Sequence, residues 1–247
     1  MGHVQLIDHM GSDSAIVQSA RVSYGAGTKA VSDDRALIRY LMRHWHSTPF
    51  EMVEFKFLIK CPIFVARQWM RHRTASINEI SARYSVIPSD FFVPEYRKQS
   101  KTNKQGSGEP LEVDDLAVKV EQSCCDAFEM YNDLLDEGCA RELARCHLPQ
   151  STYTEFYWKI NLHNLFHFLK LRMDLHAQKE IQDYATHVYE LIKPIVPMAC
   201  EAFEDFRLGG MNLTRLEVAS LGNGETHVPG KGENQEFQDK LKLLGFS

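Results

Sequence analysis

The sequence contains no C-x-x-C pair, and its six cysteines (Cys61, Cys124, Cys125, Cys139, Cys146 and Cys200) are scattered. That excludes a zinc ribbon and a thioredoxin-like redox motif and leaves buried, reduced thiols as the expectation. A disulfide framework is not needed either, because 247 residues with 44% hydrophobic content bury a core without staples. Long apolar runs are missing. The longest uncharged run, Ile160 to Leu169, falls well short of the ~18 apolar residues of a membrane span, and it holds two histidines and two asparagines. Positive charge is also scarce: 28 Lys and Arg stand against 33 Asp and Glu, for a formal net charge of -5. A general binder of nucleic acid neutralises many phosphates with Lys and Arg, so none is expected, and any basic site has to be local. The opening MGHVQLIDHMGSD lacks a basic region followed by an apolar core, so the expected location is cytoplasmic. No repeat at solenoid periods is present.

What is there is a mixture of helical and strand periods. Ser12 to Arg21 and Ser32 to His46 read as helices, the second with Ser32 as cap, Asp33 and Asp34 in its first turn, and Leu37, Leu41 and Trp45 on one face. Glu51 to Lys60 alternates, with Val53, Phe55, Phe57 and Ile59 on one side, as in a half-buried strand. A helix follows from Pro62 to about Arg73, with Arg67 and Arg71 sharing a face, and then a short extended segment over Arg83 to Ile87. Arg97 to Pro110 is polar and rich in Gly, Ser and Lys, which predicts an exposed, disordered loop insertion. Asp114 to Glu137 reads as a long helix with Leu116, Val120, Phe128, Tyr131 and Leu135 inward and Gly138 as its stop. A short helix to Leu148, a strand over Thr152 to Asn161, a helix from Leu162 to His176 and another from Gln178, broken near Pro194 and Pro197, complete the pattern. The expectation is one α+β domain over 1–207 with a central, mostly antiparallel sheet, and a loosely structured tail over 208–247.

The informative stretch is Phe55 to Asn78. This acidic chain has no Asp or Glu there, yet it carries Lys56, Lys60, Arg67, Arg71, His72 and Arg73. Arg71, His72 and Arg73 are consecutive and cannot share a helix face, so they fan toward different partners. Ser76, Asn78, Glu79, Ser81, Arg83 and Tyr84 follow, a density of donors and acceptors that is costly to bury without ligands. A solvated turn explains any one of them but explains the whole run poorly.

Arg71 to Tyr84 reads RHRTASINEISARY and resembles the R-H-R-x-x-S-x-N-E-x-S-x-R-Y signature of flavin-dependent thymidylate synthases. Further resemblances lie in His46 to Glu51 (HSTPFE), Pro62 to Trp69, Ala140 to Pro149, and Asn161 through Arg172 to Gln178. Together they span most of residues 12 to 205.

The resemblance implies FAD held across the subunit interfaces of a homotetramer, with contacts from Thr48, Arg71, His72, Arg73, Glu79, Asn161, Leu162, His163 and His167. It implies a deoxyuridine monophosphate site formed by Gln68, Trp69, Met70, Arg71, Glu79, Ile80, Ser81, Ala82, Arg83, Tyr84, Arg145 and Arg172. Arg172 polarises the uracil ring, and His46 matches a position that affects folate and flavin chemistry. The implied reaction is reductive methylation to thymidine monophosphate, with methylenetetrahydrofolate as one-carbon donor and NADPH reducing the flavin. No cysteine nucleophile is involved, so the catalytic candidates are Arg172, Ser81 and His46. Ser81 has no His or Lys base near it in sequence, which favours a substrate hydrogen bond over nucleophilic attack. Three positions depart from the family pattern: His163 where Arg is frequent, His167 where Asn or His occurs, and Ala82 where Gly is common.

Two other classes remain open at this point. His163 and His167 are four apart on a predicted helix near Asp174 and His176, as a metal-dependent hydrolase would place ligands. Basic residues interleaved with Phe55, Phe57, Phe64 and Trp69 could serve a noncatalytic nucleotide or RNA binder, although those aromatics keep core spacing. Stoichiometric zinc without flavin absorbance marks the first, and flavin-independent RNA binding the second.

Overall fold

In the computed structural model, residues 2–23, 33–101 and 106–246 are described. The chain divides into two compact units, Met1–Glu201 and Ala202–Ser247. The first is α+β, built on a four-stranded sheet of β1 (His3–Met10), β2 (Glu54–Pro62), β6 (Tyr153–Asn161) and β3 (Ser76–Glu79) in that spatial order. Every pairing in it is antiparallel. β2 and β6 are in continuous register from Glu54↔Asn161 to Pro62↔Tyr153, which places Phe57 beside Trp158 and Ile59 beside Phe156. The period-2 pattern read in the sequence therefore becomes one buried face made of Phe55, Phe57, Ile59 and Cys61 with Phe156, Trp158 and Ile160.

The outer strands escaped the sequence reading. β1 buries only Val4 and is held by its backbone ladder to β2, so it carries no alternating signature. β3 is exposed along its length and likewise owes its extended form to pairing with β6. The extended segment expected at Arg83 to Ile87 is instead a turn, in which the Ser81 carbonyl accepts from both Tyr84 and Ser85 amides.

Helix α1 (Asp13–Val22) and helix α2 (Asp34–Arg43) precede the sheet's second strand. Asp33, not Ser32, caps α2, accepting from the amides of Arg35 and Ala36; Ser32 lies outside the described residues. The helix closes at Arg43 rather than His46. His46 N–H returns to Leu41 O at 3.0 Å and Trp45 N–H to Met42 O at 3.4 Å, with Trp45 at φ 62. These are the paired bonds of a Schellman stop, in which Trp45 fills the left-handed position usually given to glycine. The one-turn helix α3 (Thr48–Glu51) leads into β2.

After β2, Pro62 is the N-cap of α4 (Ile63–Trp69), which ends four residues before the expected Arg73, so Arg71 leaves the face it was assigned with Arg67. Trp69 is fully buried, with ring centroids of Phe168 at 4.8 Å and Trp158 at 5.1 Å. Part of the expected loop at 97–110 is ordered, because β4 (Arg97–Gln99) and β5 (Ser107–Pro110) pair as an exposed ribbon; residues 102–105 lie outside the described residues. Arg97 anchors that ribbon by a 2.8 Å ion pair to Glu180. In α5 (Asp114–Asp136), Phe128 and Tyr131 are buried as expected, but Leu116 and Val120 are exposed. Gly138 takes φ 82 just beyond it.

Helix α6 (Arg141–Ala144) and a 3-10 turn, Arg145–His147, lead toward β6. Helix α7 (Leu162–Arg172) stops at Arg172 rather than His176, where the Asp174 carboxylate accepts from the His176 amide in a turn. Helix α8 (Lys179–Ile192) ends before Pro194, and α9 (Pro197–Phe203) starts on Pro197. The Asp13 carboxylate caps α9, accepting from Met198 N–H at 2.7 Å and Ala199 N–H at 3.0 Å.

The second unit is not loose. It contains α10 (Arg215–Gly222), opened by a Thr214–Glu217 capping box, and α11 (Lys231–Leu243). Val228, Phe237 and Leu241 form its small core against Leu221, and Lys240 pairs with Glu217 at 2.9 Å.

Candidate active site

Three groups of side chains carry the residues singled out in the sequence. The first forms where the turn after α4 meets the end of α7. Arg172 donates from Nε to His72 Nε2 at 3.0 Å and from Nη2 to the Gln68 carbonyl at 3.2 Å. Gln68 in turn donates through its amide to Gln178 Oε1. The His72 ring sits edge-on to Phe168 at 4.9 Å and also edge-on to His167 at 6.0 Å. An imidazole nitrogen that accepts has no proton, so His72 is the neutral Nδ1–H tautomer. Burial, then the neighbouring Arg172 and His167, lowers its pKa to about 4. Burial also lowers the Arg172 pKa from its usual value.

The second group follows the sheet edge. Glu79, at the end of β3, accepts from Thr154 of β6, and the Ile80 amide donates to Glu155 O. Beyond it the Ser81 hydroxyl accepts from the Arg83 amide at 3.3 Å. Two residues of α6 hold this turn: Glu142 pairs with Arg83 at 3.2 Å, and Arg141 donates to Tyr84 O at 2.9 Å. Ala82 packs toward the cluster of Ile87, Phe128 and Tyr131.

The third group lies at the α2–α3 junction. A cavity of about 510 Å³ is lined by Tyr40, His46, Ser47 and Thr48, among others. The Tyr40 ring packs at a tilt against His44, with centroids 4.4 Å apart, and against His46 at 5.8 Å. α3 packs on α7 through Phe50 and Phe166, whose ring centroids are 6.5 Å apart. At the head of α7, Asn161 accepts from the Asn164 amide as its cap.

Some expected contacts are restricted by this geometry. The Trp69 and Leu162 side chains are wholly in the core, so they reach a ligand only through backbone. Met70 and Ile80 stand at the surface of the same turns, and Arg145 is exposed on its 3-10 turn. His163 and His167 share α7, but among the described residues no group of three or more His, Cys, Asp or Glu is gathered to hold a metal. The sequence reading did not single out Thr154, Arg141 and Glu142. Thr154 was legible as an inward polar residue on a strand of alternating apolars, whereas the α6 pair depends on tertiary placement alone.

Residues 5–198 match the protein family described as thymidylate synthase complementing protein. A flavin-dependent thymidylate synthase of Dictyostelium discoideum is 53% identical over 98% of this chain and 85% of its own length. The chain belongs to the flavin-dependent thymidylate synthase family. A relative so named from Thermus thermophilus is 58% identical over 89% of this chain and 82% of its own. Among solved structures, a UMP/dUMP methylase, PolB, from Streptomyces cacaoi bound with 5-Br dUMP superposes with a TM-score of 0.77 at 37% identity, covering 84% of this chain and 97% of that one. Membership of the family makes this chain an enzyme that requires a flavin. The donor set of the site is suited to one. Arg71 and Arg73 are exposed, and neither pairs with a carboxylate among the described residues, which leaves two guanidinium groups for phosphate oxygens.

Proposed function

We propose that the protein reductively methylates deoxyuridine monophosphate to thymidine monophosphate, with FAD as its bound flavin, methylenetetrahydrofolate as one-carbon donor and NADPH as reductant. The observation that carries this reading is the fixing of Arg172 by His72 and Gln68, which ties the end of α7 to the cationic turn of the signature. FAD, when bound, supplies the hydride chemistry that no side chain of this protein can perform. The protein's own work is positional and electrostatic.

In this proposal Arg71, Arg83 and Arg145 neutralise the substrate phosphate. Arg83 exchanges its Glu142 partner for that phosphate, a favourable exchange because both side chains are half-exposed and the existing pair is weak. Arg172 stabilises negative charge developing on the pyrimidine. Gln68, Glu79, Ser81 and the backbone of residues 69–84 orient the nucleotide, with Ser81 as a hydrogen-bonding group. Arg71, His72, Arg73, Asn161, His163 and His167 hold the flavin, and His46 and Thr48 border the space for folate. The three groups lie on different elements of one chain, and a homotetramer with sites shared between subunits completes them. The proposal takes this work to be done in the cytoplasm. Among the described residues no helix is long and apolar enough to cross a membrane.

The test is direct. Purified protein should show flavin absorbance that bleaches anaerobically with NADPH, and then form thymidylate when both deoxyuridylate and methylenetetrahydrofolate are added. Light scattering should give four times the 28.4 kDa chain mass. A colourless protein that takes up no FAD, or one that reduces flavin and never forms thymidylate, refutes the assignment.

A further inference from the structure

Arg172 has five N–H donors on a planar group, and its function requires that plane to be fixed before substrate arrives. Two of the five are already committed within the protein. Nε is taken by His72 Nε2 at 3.0 Å and one hydrogen of Nη2 by the Gln68 carbonyl at 3.2 Å. Both acceptors lie on the same short stretch, the last turn of α4 and the turn after it, where the His72 amide donates to Trp69 O at 3.0 Å. The His72 ring is itself locked, being 9% exposed and wedged against Phe168, one helical turn before Arg172.

We propose that His72 is the positioning residue for Arg172: its Nε2 accepts from Arg172 Nε and so sets the plane in which the guanidinium meets the pyrimidine. This rests on the assignment of Arg172 to the pyrimidine, and it gives His72 a task beyond the flavin contact implied by the signature. The geometry leaves Nη1 and the second hydrogen of Nη2 for the ligand, and it leaves the His72 Nδ1–H free to donate to another. A proton added at Nε2 would replace the acceptor with a like charge and expel Arg172. The low-lying pKa of the ring, caused first by burial and then by Arg172 and His167, keeps that proton off.

The experiment compares three variants of the full protein. Glutamine places a side-chain amide near the Nε2 position, whereas asparagine ends near Nδ1; phenylalanine keeps a ring against Phe168 with no acceptor. Flavin per chain, kcat and KM for deoxyuridylate are measured for H72Q, H72N and H72F. Assayed with FAD saturating and with rates taken per bound flavin, H72N and H72F should lose roughly 100-fold in kcat, the scale of a misplacement of about 1 Å. H72Q should recover at least tenfold of that loss. In an R172A background H72N should cause no further drop, because the two residues act as a unit. Equal kcat for H72Q and H72N, a loss explained by missing flavin, or losses that multiply with R172A would each overturn the proposal; if H72N does not fold, H72F carries the same comparison. An R172A enzyme with normal turnover would remove the role of Arg172 and this inference with it, whereas an inactive R172A beside a fully active H72N would remove only the role of His72.

Discussion

The hydroxyl of Thr154 donates to the carboxylate of Glu79 at 2.5 Å, so the strand that carries the aromatic core also holds the one acidic side chain of the signature. Thr154 is buried and Glu79 is at the exposed end of an edge strand. Thr154→Val keeps the shape and deletes the donor. Because Glu79 can turn to water, the stability loss should be about 1 kcal/mol, or roughly 2–4 °C in Tm. Binding should suffer more than folding, and titrations of FAD and deoxyuridylate against the variant check this; unchanged affinities for both would remove Glu79 from the site.

Removing the Arg172 guanidinium should leave the fold and bound flavin intact. Turnover should fall by a factor on the order of 10²–10³, equivalent to about 2.7–4 kcal/mol of barrier. Rapid-quench measurement of thymidylate formation by Arg172→Ala, set beside its flavin spectrum, is the check. Near-normal turnover would contradict the mechanism.

Trp45 offers a cleaner test of backbone strain. It stands at φ 62, where an L side chain costs about 1–2 kcal/mol. Gly is normally the poorer choice near a helix, but here Trp45→Gly should be more stable than Trp45→Ala by about 1 kcal/mol. Comparing the two truncations cancels whatever the indole contributes. Equal melting temperatures would show that the left-handed stop is not retained.

His72 also gives the enzyme an acid limit. Its folded pKa lies at about 4, below the ordinary 6.5, so the unfolded chain binds the proton more readily. Stability from this residue is therefore complete above about pH 6.5 and is lost as pH falls toward 4. The full swing is on the order of 3 kcal/mol. Urea denaturation at a series of pH values should show this slope in the native protein and its loss in His72→Gln; an identical slope in both would mean the ring is not neutral in the native state.

Those parts of the fold that bury an alternating or helical apolar face were legible in the sequence. Phe55, Phe57 and Ile59 announced β2, and the aromatics of Tyr153 to Asn161 announced β6. β1 and β3 were not readable, because their order comes from backbone pairing and not from side-chain periodicity. The Arg97–Glu180 pair orders a polar ribbon by a contact across about eighty residues, which no local signal carries. The second unit could have been found, since Thr214-x-x-Glu217 is a capping box and Phe237 and Leu241 are one turn apart. Site residues were named through a motif, and the motif says nothing of partners. That Arg172 leans on His72, and Arg83 on Glu142, emerges only when α7 and α6 are packed against the turns that follow α4 and β3.

The spatial order of the sheet has a consequence for how the chain acquires its shape. β2 is flanked by β1, synthesised about fifty residues earlier, and by β6, which follows about ninety residues later. At roughly 5–20 residues per second on a ribosome, the β6 partner of Phe55, Phe57 and Ile59 is absent for on the order of 5–20 seconds. During that interval an apolar strand has one thin neighbour and an open ladder, the condition under which nascent chains pair with the wrong edge or recruit a chaperone.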